Sequence, residues 1–192
     1  NIANGTADDY MYKVYNLGLR GDPQGLIFKN VNWLDFWPEN MPYRYGMDFG
    51  FVADPTAIVK FNETETDIYI EYVLYEPVDN PHALNDWAEQ ADFNKRLPIT
   101  ADSSDRYISE KNGTVQMVED LSNLGWNIEK VHKNKSIMYW LGQMKRKRMN
   151  VVRSTNAKRE FENYKHREVN GIVVNEPVDK WNHGIDAARY RF

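Results

Sequence analysis

The chain has 192 residues, 42% of them hydrophobic, no cysteine and a formal net charge of −4. That length suits one domain with a substantial core, and the missing cysteines exclude disulfides, thiolate metal sites and a cysteine nucleophile, so any metal must sit on oxygen or imidazole. No run approaches the ~18 apolar residues of a membrane helix and no basic-then-apolar leader opens the sequence, which predicts a soluble chain without a membrane partner; a start at Asn1 rather than Met fits a piece of a longer protein.

Residues 1–42 read as a lead-in that mixes turn-prone stretches with one strand-like piece, GLIFKNV at 25–31, and the aromatic run WLDFW at 33–37. Pro38 and Pro42 punctuate the chain, so the compact fold is expected to span 43–192. Three strand-like stretches follow: RYGMDFGF, TAIVKFN and DIYIEYVLYEP. Connections this short permit only an antiparallel meander. HALNDWAEQADFNKR has helical spacing, LPITA at 97–101 is a short strand ending in Asp102, and Val115, Val118 and Leu121 suggest a helix that stops at Gly125. WNIEKV is a further strand. From Ser136 a helix is predicted with Ile137, Tyr139, Trp140, Leu141 and Met144 inward and Lys145, Arg146, Lys147 and Arg148 at its end, where cations suit the helix dipole. MNVVR is the next strand, a β-hairpin turning at Asn170 and Gly171 carries Lys165, His166 and Arg167, and NHGIDAARYRF closes as a helix with Asn182 at its N-cap. Strands and helices in this order give an α/β fold, with three antiparallel strands followed by parallel ones and helices on both faces.

Asp48 is an acid inside an apolar strand flanked by Gly46 and Gly50, Asp102 ends a strand, and Asp186 shares a helix face with His183 three residues before it. A buried carboxylate needs a cation or a donor. If the two strands are adjacent, the four side chains can approach one point, and hard oxygen ligands with open positions suit Mg²⁺ or Mn²⁺, two of which would drive phosphodiester hydrolysis. The glycines would let a metal and a phosphate approach the backbone. Plainer readings stand beside this one: Asp48 as a turn residue, Asp102 as an N-cap with Asp105 as the rival acid, His183 as a structural histidine, and Asp186 paired with Arg189. The charge is also uneven, since residues 1–129 carry 9 Lys and Arg against 22 Asp and Glu, and residues 130–192 carry 15 against 6. The basic third, with Lys133, Lys135, Lys145, Arg146, Lys147, Arg148, Lys165 and Arg167, is the footprint expected for a phosphate backbone.

These elements are similar to the ribonuclease H-like nuclease fold. More narrowly, GMDFGFVADPTAI at 46–58, ADSSDRYI at 101–108, KSI followed by GQMK at 135–145, and NHGIDAARY at 182–190 resemble the nuclease domain of the large terminase subunit of tailed double-stranded DNA phages, over residues 43–192. Asn182, His183, Asp186, Ala187, Arg189 and Tyr190 form the most specific of these motifs. The resemblance implies an endonuclease that cuts concatemeric viral DNA during packaging, with Asp48, Asp102 and Asp186 as metal ligands, His183 assisting, and the hairpin at Asn170 and Gly171 as a gate. It also implies that residues 1–42 are the connector from an ATPase motor domain that precedes the nuclease in the same polypeptide, with the small terminase subunit and the portal protein as partners and the cytoplasm of the infected host as the place of work. No GxxxxGK[ST] loop is present, so the motor itself is not in this sequence. A resolvase- or integrase-type nuclease and a non-catalytic DNA-binding or motor-docking module are the alternatives.

Overall fold

The computed structural model describes residues 25–50, 54–78, 80–104, 106–109 and 113–192. In chain order the elements are β1 Val31–Leu34, β2 Arg44–Asp48, β3 Thr56–Glu63, β4 Asp67–Glu76, α1 Pro81–Gln90, β5 Ile99–Ala101, β6 Arg106–Ser109, β7 Gly113–Gln116 and α2 Met117–Asn123. They continue with β8 Ile128–Lys130, α3 Ile137–Met144, β9 Arg148–Val152, α4 Thr155–Asn163, β10 His166–Val169, β11 Ile172–Pro177 and α5 His183–Arg191.

Seven strands form one sheet in the order β1-β9-β4-β3-β2-β5-β8. The meander supplies its middle, β2-β3-β4, by antiparallel pairing. β5 and β8 add in parallel beside β2, and β9 and β1 add in parallel beside β4. Within this sheet β3 alone therefore runs against the other six. The C-terminal ends of β2, β4, β5 and β9 consequently share one edge, where open α/β sheets place their ligands.

Side chains alternate across the sheet, so each strand feeds two cores. On one face Ala57, Val59, Ile68 and Ile70 pack with Leu141 and Met144 of α3, Phe161 of α4, and Ile185, Ala187 and Ala188 of α5. On the other, Tyr45, Met47, Ile58 and Ile99 pack with Leu84 and Ala88 of α1 and with Met117 and Leu121 of α2. The helices are started by the residues the sequence offers. Asn80 Oδ1 accepts from His82 and Ala83 N–H ahead of α1, Ser136 Oγ from Tyr139 N–H ahead of α3, and Ser154 Oγ from Ala157 N–H ahead of α4. Each such cap is worth about 1 kcal/mol.

The structure departs from the sequence reading at several points. The stretch read as a lead-in is inside the sheet: β1 pairs with β9, and Ile27 and Phe28 are buried in the first core. The cause is the parallel pairing, which joins residues more than a hundred apart and leaves no local signal. Val115 belongs to β7 of a small β6-β7 hairpin rather than to a helix, which starts at Met117. Ile137 and Tyr139, expected inward, are 42% and 44% exposed, because α3 has only two turns on the sheet and buries Leu141 and Met144. NAKREF and its neighbours form α4 before the hairpin begins. The hairpin turn is as read, with positive φ at both Asn170 (52°) and Gly171 (77°), the pattern of a type I′ turn.

Candidate active site

Asp48 is the last residue of β2, and Asp102 follows β5 directly. Met47 pairs with Ala101 in the parallel register, and Asp102 N–H donates to the carbonyl of Met47 at 3.0 Å. The two acids thus stand at one level at the ends of adjacent strands. Gly46 and Asp48, two residues apart, share the sheet face on which α5 lies. A methyl group at Gly46 would overlap the carbonyl oxygen of Ala187 and come within 2.7 Å of its carbonyl carbon. The absence of a side chain there lets the backbone of α5 press against β2. A methyl at Gly50 would likewise overlap the backbone of Asp54 and Pro55. Both glycines therefore serve packing within the chain, and the sequence reading of them as openings for a metal or phosphate is corrected.

Docked in this way, α5 delivers His183 and Asp186 to Asp48. His183 Nδ1 lies 3.0 Å from Asp48 Oδ2. Asp186 Oδ2 accepts from Asn182 Nδ2 at 3.0 Å, and Oδ1 accepts from Arg189 Nε at 2.9 Å. Asn182 stands at the N-cap position but makes no side-chain cap bond, because its amide is committed to Asp186. Asp102 pairs with Lys133 through Oδ1 and accepts from Ser104 N–H at 3.2 Å. Asp48, Asp186 and Arg189 are all buried.

Electrostatics ties the acids together. Asp48 is pushed up to about 7 from 3.8, chiefly by burial and further by the charges of Asp186 and Asp102, with His183 working against the rise. The hydrogen bond to Asp48 in turn raises His183. Burial raises the Tyr190 phenol, and Asp48, Asp186 and Asp102 raise it further, so all three acids act on one side chain. Lys133 Nζ and the Arg189 guanidinium sit 5.5 Å and 4.6 Å from the centre of the Tyr190 ring.

Three carboxylates and an imidazole are the donor chemistry of a hard divalent cation, and the charges of Asp186 and Asp102 add to the upward push that burial gives Asp48. The donor set fits such an ion. Its present arrangement is another matter, since no three His, Asp or Glu side chains among the described residues close on a single point as metal ligands would. Arg189 and Lys133 hold two of the acids instead.

The other sequence candidates fall elsewhere. Lys133 is beside the acids as the partner of Asp102, and Lys135 Nζ lies 5.8 Å from the Tyr139 ring centre. The run 145–148 is at the opposite end of the strands, because Arg148 opens β9 and pairs with Asp67, which opens β4. Lys147 is bound to Glu63 (3.2 Å) and to the carbonyl of Thr64, while Lys145 and Arg146 border a groove of about 910 Å³ with residues 27–32. Arg167 pairs with Glu176 across the hairpin, and Lys165 joins its backbone to Leu26 and Val178. Asp105 lies outside the described residues. Sequence reasoning missed Glu160, a fully buried acid on α4 bound to the first turn of α5; within an amphipathic helix full of charges nothing set it apart.

No family model matches the sequence. The chain is 30% identical over 152 residues to the large terminase subunit of Bacillus phage SPP1, an alignment covering 78% of this chain and 35% of that protein. It superposes on the SPP1 large terminase nuclease domain with bound Mn at a TM-score of 0.66 and 26% identity, covering 85% of this chain and 95% of that one. The chain belongs to the large terminase nuclease domains. The P22 large terminase nuclease domain has the same fold, with a TM-score of 0.63 at 16% identity over 87% of this chain and 90% of its own. The mixed sheet with its helices matches the ribonuclease H-like fold of the terminase nuclease domains. The chain spans about a third of the length of its curated SPP1 relative.

Proposed function

We propose that this terminase nuclease domain is a metal-dependent endonuclease that cuts concatemeric viral DNA during genome packaging. The observation that carries the reading is the meeting of Asp48, Asp102, Asp186 and His183 at one sheet edge, from positions far apart in the chain. These four side chains would hold Mg²⁺ or Mn²⁺, most economically as two ions, and the SPP1 nuclease domain was solved with Mn. When bound, the ions supply a water acidic enough to attack at neutral pH and positive charge against the phosphate.

The chain's own residues define the rest. With its proton at Nδ1, His183 would donate to Asp48 Oδ2, which would fix the imidazole tautomer and leave Nε2 as the free ring nitrogen. Asn182 and Arg189 orient Asp186 from two sides. Lys133 and Arg189, now on Asp102 and Asp186, are within reach of a phosphate once those carboxylates take up a cation. Lys135 extends the basic face from there, and the hairpin at Asn170 and Gly171 is proposed as the gate over the bound duplex. Residues before the compact sheet lead toward an ATPase motor in the same polypeptide, and the small terminase subunit, the portal protein and the cytoplasm of an infected host are the expected setting. The basic run 145–148, turned away from the acids, is assigned to the flank of a long duplex or to the motor rather than to the cleaved phosphate.

The purified chain is expected to nick supercoiled plasmid in Mn²⁺ and to stop when EDTA is added. Cutting that persists in EDTA would remove the metal-dependent mechanism. No cutting in Mn²⁺ or Mg²⁺ would favour the docking-module reading, which draws on the pairing of Asp102 and Asp186 with the protein's own cations. Lys135→Ala is expected to weaken duplex binding for all sequences alike and to lower the slope of log K against log salt by about one. An unchanged slope in a salt titration would take Lys135 off the DNA path.

A further inference from the structure

α5 reaches the site by its first turn, in which His183 is the first residue and Asp186 the fourth. The N–H groups that open a helix have no partner within it, and the residue that would ordinarily serve them, Asn182, has its side chain on Asp186. Glu160 of α4 takes over. Gly184 N–H donates to its Oε1 at 3.2 Å and Oε2 at 3.0 Å, and Ile185 N–H donates to Oε2 at 3.1 Å. The same carboxylate accepts from Tyr72 Oη at 2.5 Å and Tyr75 Oη at 2.8 Å. Glu160 is 0% exposed. Burial pushes the Glu160 carboxyl up, and the four donors bonded to it, two phenols and two backbone N–H groups, oppose that push.

Two backbone features are shaped to this contact. In β4 the register against β3 passes from Val59↔Tyr72 to Ile58↔Leu74, so Val73 is the extra residue of a β-bulge. A bulge re-aims the side chains around it. Here it turns Tyr72 and Tyr75, three residues apart on a strand, to the same side, where both phenols meet Glu160 and the rings stack 5.9 Å apart. Gly184 is the second feature, since a methyl group there would overlap the Tyr72 ring and come within 2.5 Å of its hydroxyl. The Tyr75 ring also packs edge-on against His183, 6.3 Å between centres.

We propose that Glu160 is a positioning residue for the acid site: its carboxylate fixes the first turn of α5 and thereby sets His183 Nδ1 on Asp48 and the direction of Asp186. The proposal rests on the nuclease reading above. A clamp that only stabilised the fold would have no need of two tyrosines, a bulge and a glycine directed at the one turn that carries two candidate ligands.

Glu160→Gln keeps the size of the side chain and turns one of its two oxygens into a donor facing donors. In the metal-free protein, the amide resonances of Gly184 and Ile185 are expected to move upfield and exchange faster with solvent, with the sheet amides unchanged. In Mn²⁺ the variant is expected to lose about 10- to 100-fold in kcat for nicking, with duplex affinity in Ca²⁺ unchanged within about twofold, as for other displaced orienting groups. Unmoved amides or a parental kcat overturns the proposal. Should the parent not cut at all, the nuclease reading falls, while the amide resonances still decide whether Glu160 holds the turn. If Glu160→Gln does not fold, Tyr75→Phe removes one donor and spares the amide bonds; a fall of about threefold or more in kcat at unchanged duplex affinity is expected, and a parental kcat there overturns the proposal equally.

Discussion

Without divalent cation at pH 7.5, Asp48→Asn is expected to melt at a higher temperature than the parent and, in Mn²⁺, to nick plasmid no faster than background. The gain follows from the sign of the shift at Asp48. Its carboxyl rises from 3.8 to about 7 on folding, so the folded chain holds that proton more tightly than the unfolded one. The stability this contributes is fully present below about pH 4 and is lost as the pH rises through 7. A shift of about three units corresponds to at most about 4 kcal/mol, and each kcal/mol moves the midpoint by about 2–4 °C in a chain of this length. Asparagine keeps the shape and an oxygen for His183 Nδ1–H while removing the charge. His183, raised by Asp48, slopes the same way, since its contribution is present below 6.5 and lost as the pH passes its folded value. Melting curves from pH 5 to 8 should show the parent falling and the variant nearly flat. Added Mn²⁺ should raise the parent alone, because a ligand stabilises only the form that binds it. A variant that melts below the metal-free parent at pH 7.5 would show that the Asp48 charge is already compensated.

Gly46→Ala is expected to cost about 3 kcal/mol, at the upper end for overpacking in a core, and to reduce nicking together with stability. The added methyl meets the carbonyl group of Ala187, with Arg191 Cβ 3.2 Å away. No rotamer change relieves a clash with backbone, so the whole of α5 must lift from β2. That movement separates His183 and Asp186 from Asp48. The control is Gly142→Ala in α3, where the new methyl has nothing within 4 Å and φ is not positive. Alanine there is expected to add about 0.5–1 kcal/mol by helix propensity. Urea midpoints separate the two cases, and a Gly46→Ala protein with the parental midpoint would mean that α5 does not dock as described.

The parts of the fold visible in the sequence are those set by near neighbours. Short connections forced the β2-β3-β4 meander, the Asn170–Gly171 pair announced its turn, and Gly125, at φ 85°, ended its helix where expected. Asp48 stood out because an acid in an apolar strand is conspicuous, and His183 with Asp186 because their spacing puts them on one face. The pairing of β1 with β9 left no such trace, nor did the β6-β7 hairpin. The site partners were hidden for the same reason. Lys133 looked like a member of a basic surface, yet it is spent on Asp102, and β9 places the run at 145–148 at the end of the strands away from the acids. Glu160 depends on a bulge in β4, a glycine in α5 and a buried face of α4, three elements whose meeting is a property of the tertiary fold alone.

The outer position of β1 also decides where this unit can be excised. A fragment begun at Tyr43, the boundary suggested by the prolines, would strip the sheet of Val31–Leu34 and the first core of Ile27 and Phe28. β9 would then become an open edge, lined by Met149 and Val151 with one row of its backbone N–H and C=O groups unpaired. Such an edge recruits strands from other molecules, so the shorter piece would be prone to self-association for reasons unrelated to its chemistry, and a start ahead of Gly25 keeps the short strand β1 over β9.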